Sequence, residues 1–84
     1  MYLEELPLEK KKQLIKWIKH NIKQSKKRNK YSSYILKHFA ERAIDYYITN
    51  NQFKEAMLHC GFEPTNPMDL NWYFRINFKE EKNK

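Results

Sequence analysis

The spacing of apolar residues divides most of the chain into three helical segments. Helical intervals first occur at Leu14, Ile15, Ile18 and Ile22. Two further sets of inward-facing positions follow, and they comprise Ile35, Leu36, Phe39, Ala40, Ala43 and Ile44, then Phe53, Ala56, Met57 and Cys60. This pattern predicts a basic amphipathic helix over residues 6–24 and two more helices within residues 32–61.

Strand-forming patterns occupy two short segments. The run Tyr-Tyr-Ile-Thr at 46–49 consists of residue types that favour strands. Near the C-terminus the period changes to two, because Trp72, Phe74, Ile76 and Phe78 alternate with Asn71, Tyr73, Arg75 and Asn77. The predicted fold class is therefore α+β and mostly α, with three helices and a small two-stranded sheet in the order helix, helix, strand, helix, strand. The strands could pair in either direction.

Local signals mark the ends of the third predicted helix. Thr49 and Gln52 have the spacing of a capping box. Gly61, the only glycine, occupies the position of a left-handed C-cap residue, and we expect Phe62 to fold back onto the helix. A chain of 84 residues is expected to form a single domain, with 25–31 as a basic connection, 32–78 as the core and 79–84 as a tail.

Positive charge is concentrated in one part of the chain. Residues 10–40 contain 11 Lys or Arg and no Asp or Glu, whereas the rest of the chain has 6 basic and 10 acidic residues. The net charge is +7. A segment this polarised indicates an anionic partner, which could be nucleic acid, an acidic membrane or an acidic protein surface.

Five lysines of this segment recur at helical intervals and draw one stripe: Lys12, Lys16, Lys19, Lys23 and Lys26. The basic run that follows adds Lys27, Arg28 and Lys30 in what we expect to be a mobile connection. The stripe is consistent with a surface helix kept soluble by its lysines, and equally with a face that tracks nucleic-acid phosphates. Membrane binding is disfavoured because the apolar face is narrow, and a calmodulin-type target helix has no specific support.

A second polar set shares one face of the second predicted helix: Tyr34, Lys37, His38 and Glu41. A hydroxyl, an ammonium, an imidazole and a carboxylate within mutual reach could support acid–base chemistry, as in an untypical nuclease. We favour a structural or partner-contact role, since catalysis also needs a pocket and a group that holds the substrate. Tyr73 and Arg75, on the polar side of the last strand, are added to this partner-contact surface, although a solvated sheet face has the same pattern.

Several functional classes lack the residues that they need. One glycine is too few for a Walker A loop or a dinucleotide-binding turn. His20, His38 and His59 lack the spacing of metal ligands, and no Cys-x-x-Cys or Gly-x-Ser-x-Gly motif occurs. The single cysteine, Cys60, rules out an internal disulfide and fits a reducing cytosol. With no membrane-spanning run and no secretory signal, we expect a cytoplasmic, non-enzymatic protein without metal or cofactor.

Three motifs follow one another along the second half of the chain. Ser-Tyr-Ile-Leu-Lys-His at 33–38, with Glu41 three residues further on, precedes Tyr-Ile-Thr-Asn at 47–50 and Gly-Phe at 61–62. In these motifs the chain resembles a group of short proteins carried by bacterial phages and other mobile elements. The likeness covers about residues 31–76 and implies a mobile-element origin in a bacterial host cell, without implying an activity.

The chain departs from that pattern in two places. Asn51 stands where many proteins of the group have glycine, so the turn is expected to differ. The lysine-rich segment 10–30 is not part of the pattern. A function peculiar to this chain is therefore expected in that segment.

Two functional hypotheses follow. The first is binding of DNA or RNA through the phosphate backbone, without base reading, by Lys12, Lys16, Lys19, Lys23, Lys26, Lys27, Arg28 and Lys30. The second is an inhibitor that docks on an acidic face of a host defence nuclease, of the anti-CRISPR or anti-restriction type. In that case the aromatic anchors would be Trp17, Tyr34, Trp72 and Tyr73.

Overall fold

The computed structural model describes residues 2–78 of the 84. In this part of the chain a 3-10 turn (Leu3–Glu5) precedes helix α1 (Leu8–Asn21) and strand β1 (Ile22–Arg28). Helices α2 (Ser33–Ile44) and α3 (Asn50–His59) follow, and strand β2 (Arg75–Phe78) comes last. The predicted α+β class, with three helices and a two-stranded sheet, is confirmed, and the two strands pair antiparallel.

The first strand is not where the sequence predicts it. β1 occupies residues 22–28, which we assigned to the end of the first helix and to the basic connection, so the order is helix, strand, helix, helix, strand. α1 ends at Asn21, whose side-chain amide donates to the Trp17 carbonyl at 2.9 Å. Ile22 is extended but stays buried, so its apolar side chain fits the core without continuing the helix. This segment has almost no apolar residues, and it forms a strand because its backbone pairs with β2.

The predicted strand at 46–49 is an extended connection without a strand partner. The N–H of Ile48 donates to Glu41 Oε2 at 3.1 Å, and the N–H of Thr49 donates to Gln52 Oε1 at 2.9 Å. These side chains supply the partners that a neighbouring strand would otherwise provide. Ile48 is nevertheless fully buried, so its β-branched side chain serves the core.

The sheet has an irregular register. Its Cα partners are Ile22 with Phe78, Lys23 with Asn77, Gln24 with Ile76, and Arg28 with Arg75. Residues 25–27 therefore bulge between two paired stretches. The predicted alternation along the last strand is confirmed, since Phe74 and Ile76 are buried while Arg75 and Asn77 are exposed.

The core lies between the three helices and the apolar side of the sheet. Its fully buried large side chains come from every one of these elements and the loops beside them: Leu14, Ile18, Ile22, Leu36, Ile48, Phe53, Met57 and Phe74. Trp17 is half-buried, and its ring lies 5.6 Å from that of Phe78. Both ring systems cover the edge of the core where α1 meets the sheet.

Both predicted ends of α3 are confirmed. Thr49 and Gln52 form the reciprocal capping box. Gly61 has a φ of 91°, and the N–H of Phe62 donates to the Met57 carbonyl at 2.9 Å, which is the Schellman arrangement. The predicted tail, 79–84, lies outside the described residues. Within residues 2–78 the structure contains no helix with the length and hydropathy needed to cross a bilayer.

Candidate nucleic-acid interface

Four lysines line one shallow groove on the surface of the protein. Lys12, Lys16 and Lys19 project from α1, because positions three and four apart share a helix face. Lys23 reaches the same groove from the start of β1, and its Nζ donates to the Lys19 carbonyl at 3.2 Å. That contact places a cation at the carbonyl end of the helix, where the helix dipole favours it. We call these four residues the lysine groove.

The remaining predicted cations continue along β1. Lys26 and Lys27 lie in the bulge, where the N–H of Lys27 donates to Ser25 Oγ at 3.2 Å. Arg28 and Lys30 each lie over an aromatic ring, Arg28 over Tyr73 at 4.5 Å and Lys30 over Tyr31 at 5.2 Å. The expectation of a mobile connection is therefore wrong for residues 25–28. Lys26, Lys27 and Arg28 project from a strand that starts where α1 ends, and Lys30 lies in the loop that follows this strand.

The basic surface carries no internal neutralisation among the described residues. Within residues 2–78, the ion pairs are Lys37 with Glu41 and His38 with Glu41. None of the eight predicted cations lies within ion-pair distance of a carboxylate of residues 2–78. Within residues 2–78 nothing therefore neutralises their charge, and an external anion can do so.

The outward side of the sheet extends this surface. Arg75 and Asn77 of β2 project to solvent, and their register partners on β1 are Arg28 and Lys23. Sequence reasoning assigned Tyr73 and Arg75 to one surface with the polar side of α2, but the structure joins them to Arg28 instead. Alternation along β1 would not have indicated this grouping, because counting by two from the buried Ile22 puts Arg28 on the inward side, and only the register shift brings it opposite Arg75.

The polar set on α2 is a network centred on Glu41, in which Lys37 is buried while Tyr34 and His38 are partly exposed. Lys37 is only 3% exposed, and its Nζ lies 2.8 Å from Glu41 Oε2. The ammonium also lies over the rings of Tyr34 at 5.2 Å and Tyr47 at 4.9 Å. His38 Nδ1 lies 3.0 Å from Glu41 Oε1. Sequence reasoning placed Lys37 on this polar face but missed its burial, and it missed Tyr47 as the second ring beside the ammonium.

Glu41 holds this network together electrostatically. Partial burial alone would raise the pKa of its carboxyl, but hydrogen bonds from Lys37, the Ile48 N–H and His38, with the Lys37 charge, lower the pKa below its ordinary value. The carboxylate is therefore ionised at neutral pH, and each of its oxygens accepts a hydrogen bond. Glu41 thereby joins the buried ammonium of Lys37 to the connection that follows α2.

Cys60 lies half-buried near the lysine groove. Burial raises the pKa of its thiol, and the nearby charge of Lys19 offsets only part of that rise. The thiol therefore stays protonated at neutral pH, and thiolate chemistry is disfavoured. Within the described residues, no group of three or more His, Cys, Asp or Glu side chains could hold a metal ion.

Two of the predicted aromatic anchors are engaged inside the protein. Trp17 packs on Phe78, and Trp72 donates from Nε1 to the Pro67 carbonyl at 3.1 Å. Tyr34 is exposed, at 47%, but its ring also lies 4.7 Å from that of His38. The groove and strand therefore form the clearest binding surface among the described residues.

No protein-family model, curated protein or solved structure matches this chain.

Proposed function

We propose that this protein is a small, non-enzymatic binding protein that contacts the phosphate backbone of DNA or RNA. The basic surface consists of the lysine groove together with Lys26, Lys27, Arg28 and Lys30. The observation that carries the proposal is that these eight cations lie on α1, on β1 and in the loop after β1, and none pairs with a carboxylate of residues 2–78. A surface cluster of uncompensated charge is unfavourable by itself and becomes favourable when an anion neutralises it.

The composition of the surface supports phosphate contact over base reading. Seven of the eight cations are lysines, whose ammonium groups act as point charges on phosphate. Three of them lie along an exposed helix face, where evenly spaced cations can follow a polyanion. Binding should therefore be strongly dependent on salt and weakly dependent on sequence.

The biological setting is part of the proposal. The resemblance in residues 31–76 supports an origin in a bacterial phage or other mobile element, with the protein acting in the cytoplasm of the host cell. The lysine groove lies outside the resembling segment. We therefore assign nucleic-acid binding to this chain and not to the group that it resembles.

The proposal is tested by measuring, through fluorescence anisotropy, the affinity for a labelled 20-mer oligonucleotide over a series of salt concentrations. The 20-mer is used both as a duplex and as a single strand. If about five phosphates are engaged, the logarithm of affinity for duplex should fall with the logarithm of salt at a slope near −4.5. The variant Lys16→Gln/Lys19→Gln should make that slope shallower by about 1.8. The matched control is Arg42→Gln/Lys54→Gln, which removes the same charge from α2 and α3 and should keep the wild-type slope.

Two results would overturn the proposal. One is the lack of any affinity for duplex or single strand at low salt. The other is an equal loss of binding in the groove variant and in the matched control, because net charge alone would then explain the affinity. A stoichiometric acidic protein recovered from host lysate with and without nuclease treatment would replace nucleic acid by a protein partner.

A further inference from the structure

Two arginines of the sheet oppose each other directly. Arg28 of β1 and Arg75 of β2 are Cα partners, and both side chains are exposed. Opposed residues of an antiparallel pair have Cβ atoms about 5 Å apart, and like charges in that position destabilise the sheet. Neither guanidinium pairs with a carboxylate within residues 2–78. The register therefore sets two like charges opposite each other on the outward side of the sheet.

The bulge creates this arrangement. If the pairing of Ile22 with Phe78 continued without interruption, the residue opposite Arg75 would be Ser25. The three-residue shift brings Arg28 there instead. A bulge characteristically redirects a side chain at a functional position.

The ring of Tyr73 restricts the position of the Arg28 side chain, which could otherwise turn away from Arg75. The Arg28 guanidinium lies 4.5 Å from the centre of the Tyr73 ring. Such stacking favours one position of the guanidinium plane and leaves its N–H groups at the edge available. The cation is thereby held beside Arg75 on the outward side of the sheet.

We propose that Arg28 and Arg75 together form a binding site for one phosphate group. Guanidinium groups match phosphate oxygens with two parallel hydrogen bonds, and an anion between them converts mutual repulsion into attraction. The inference rests on the proposed function and extends it. Lys23 belongs to the lysine groove and lies on the sheet opposite Asn77, two residues from Arg75. A nucleic-acid strand can therefore run from the groove over Lys23 to the arginine pair.

One carboxylate borders the site. Glu63 lines a depression with Ser25 and Arg75 but does not come within ion-pair distance of the arginine. Its charge opposes binding of an anion there. Neutralising it by Glu63→Gln should therefore strengthen phosphate binding, whereas the arginine variants should weaken it.

The first test is a double-mutant cycle in the 20-mer binding assay. Arg28→Gln and Arg75→Gln should each weaken binding about tenfold and make the salt slope for duplex shallower by about 0.9. The double variant should bind about as weakly as either single variant, because both arginines hold the same phosphate. Arg42→Gln is the matched control, since that exposed arginine also lies over a ring, Phe39, at 5.7 Å, and it should leave binding unchanged.

The second test uses inorganic phosphate and thermal unfolding at constant ionic strength, with chloride as the reference. Without phosphate, Arg75→Gln should raise Tm by roughly 1–5 °C, because the repulsion is removed. Phosphate should raise Tm of the wild type and of Arg42→Gln, and should leave both single arginine variants unchanged.

The outcomes separate this inference from the proposed function. If the lysine variant loses 20-mer binding while Arg28→Gln and Arg75→Gln behave as Arg42→Gln does, the arginine site is overturned and the proposed function stands. Additive losses in the double variant also overturn a shared site. If the 20-mer does not bind but phosphate stabilises the wild type through both arginines, the phosphate site stands and nucleic acid is excluded as its source.

Discussion

The carboxylate of Glu41 accepts a hydrogen bond at 3.1 Å from the backbone N–H of Ile48, seven residues further along the chain. The same oxygen lies 2.8 Å from the Nζ of Lys37, and the second oxygen faces His38. One side chain of α2 thereby fixes the path of the connection that leads to α3. Because Ile48 is fully buried, an error in that path would also displace a core residue.

Replacing Glu41 by glutamine should destabilise the protein at neutral pH by roughly 2–3 kcal/mol. The ammonium of Lys37 would still contact the rings of Tyr34 and Tyr47 but would lose its counter-charge. A buried charge without a partner is strongly destabilising. The measurement is the free energy of unfolding from urea denaturation. The exposed residue Glu4 provides the control, since Glu4→Gln should change stability by less than about 0.5 kcal/mol.

The same carboxylate should give the protein a defined acid dependence. Because the pKa of Glu41 is lower in the folded state, its contribution is fully present above the ordinary pKa of glutamate. The contribution is lost as the pH falls through the lower folded-state value. Wild-type stability should therefore fall with acidification over that interval, and Glu41→Gln should fall less steeply. Parallel pH profiles for the two proteins would contradict this assignment.

Ser33 connects three parts of the chain through one hydroxyl. Its Oγ accepts the Trp72 N–H at 3.0 Å and donates to Asn50 Oδ1 at 2.8 Å. Ser33→Ala leaves both groups without this partner and should cost about 2 kcal/mol in the free energy of unfolding.

The adjacent serine offers a matched control for that substitution. Ser32 is also buried, but its side chain makes no capping hydrogen bond to α2. Ser32→Ala should therefore cost less than about 0.5 kcal/mol. Equal losses in the two variants would show that burial, and not the hydroxyl of Ser33, sets the cost.

Gly61 should tolerate side chains only at a conformational cost. A Cβ added there would meet no atom within 4 Å, so the cost comes from the φ of 91° and not from a clash. Gly61→Ala should destabilise the protein by about 1–2 kcal/mol, and Gly61→Asn by less, since asparagine tolerates positive φ better. Urea denaturation of both variants measures the order, and a smaller loss for alanine would contradict it.

The predictable parts of the fold are those that depend on neighbours in sequence. The capping box at Thr49 and Gln52 and the C-cap at Gly61 involve residues within a few positions of each other. The alternation in β2 is equally local. β1 is different, because Ile22 pairs with Phe78 and the pairing is a property of the fold, not of the polar segment itself.

In the candidate site, too, the contacts between sequence neighbours are predictable and the long-range contacts are not. Helical spacing predicts the grouping of Lys12, Lys16 and Lys19 in the lysine groove, whereas Lys23 joins them from β1. The opposition of Arg28 and Arg75 depends on a sheet register with a bulge, which no local pattern indicates. The burial of Lys37 is not indicated by the sequence, because lysine is rarely buried, whereas two tyrosine rings and Glu41 satisfy it here.

Hydrogen exchange should distinguish the strand from a mobile connection. The N–H of Asn29 donates to the Phe74 carbonyl at 2.8 Å, whereas the N–H of Lys27, in the bulge, donates only to the exposed Ser25 hydroxyl. Relative to their intrinsic rates, the Asn29 amide should exchange about a hundredfold more slowly than that of Lys27. The control is Ser33, whose N–H donates to the Trp72 carbonyl and should be protected like Asn29.

The pattern of protection decides what the basic segment is. A mobile connection would leave the amides of Lys27 and Asn29 equally unprotected, because neither would have a lasting backbone partner. In that case Arg28 would have no fixed position opposite Arg75, and the phosphate site would lose its geometric basis. Protection at Asn29 with rapid exchange at Lys27 is expected only if the chain leaves the sheet after Gln24 and returns to it at Arg28.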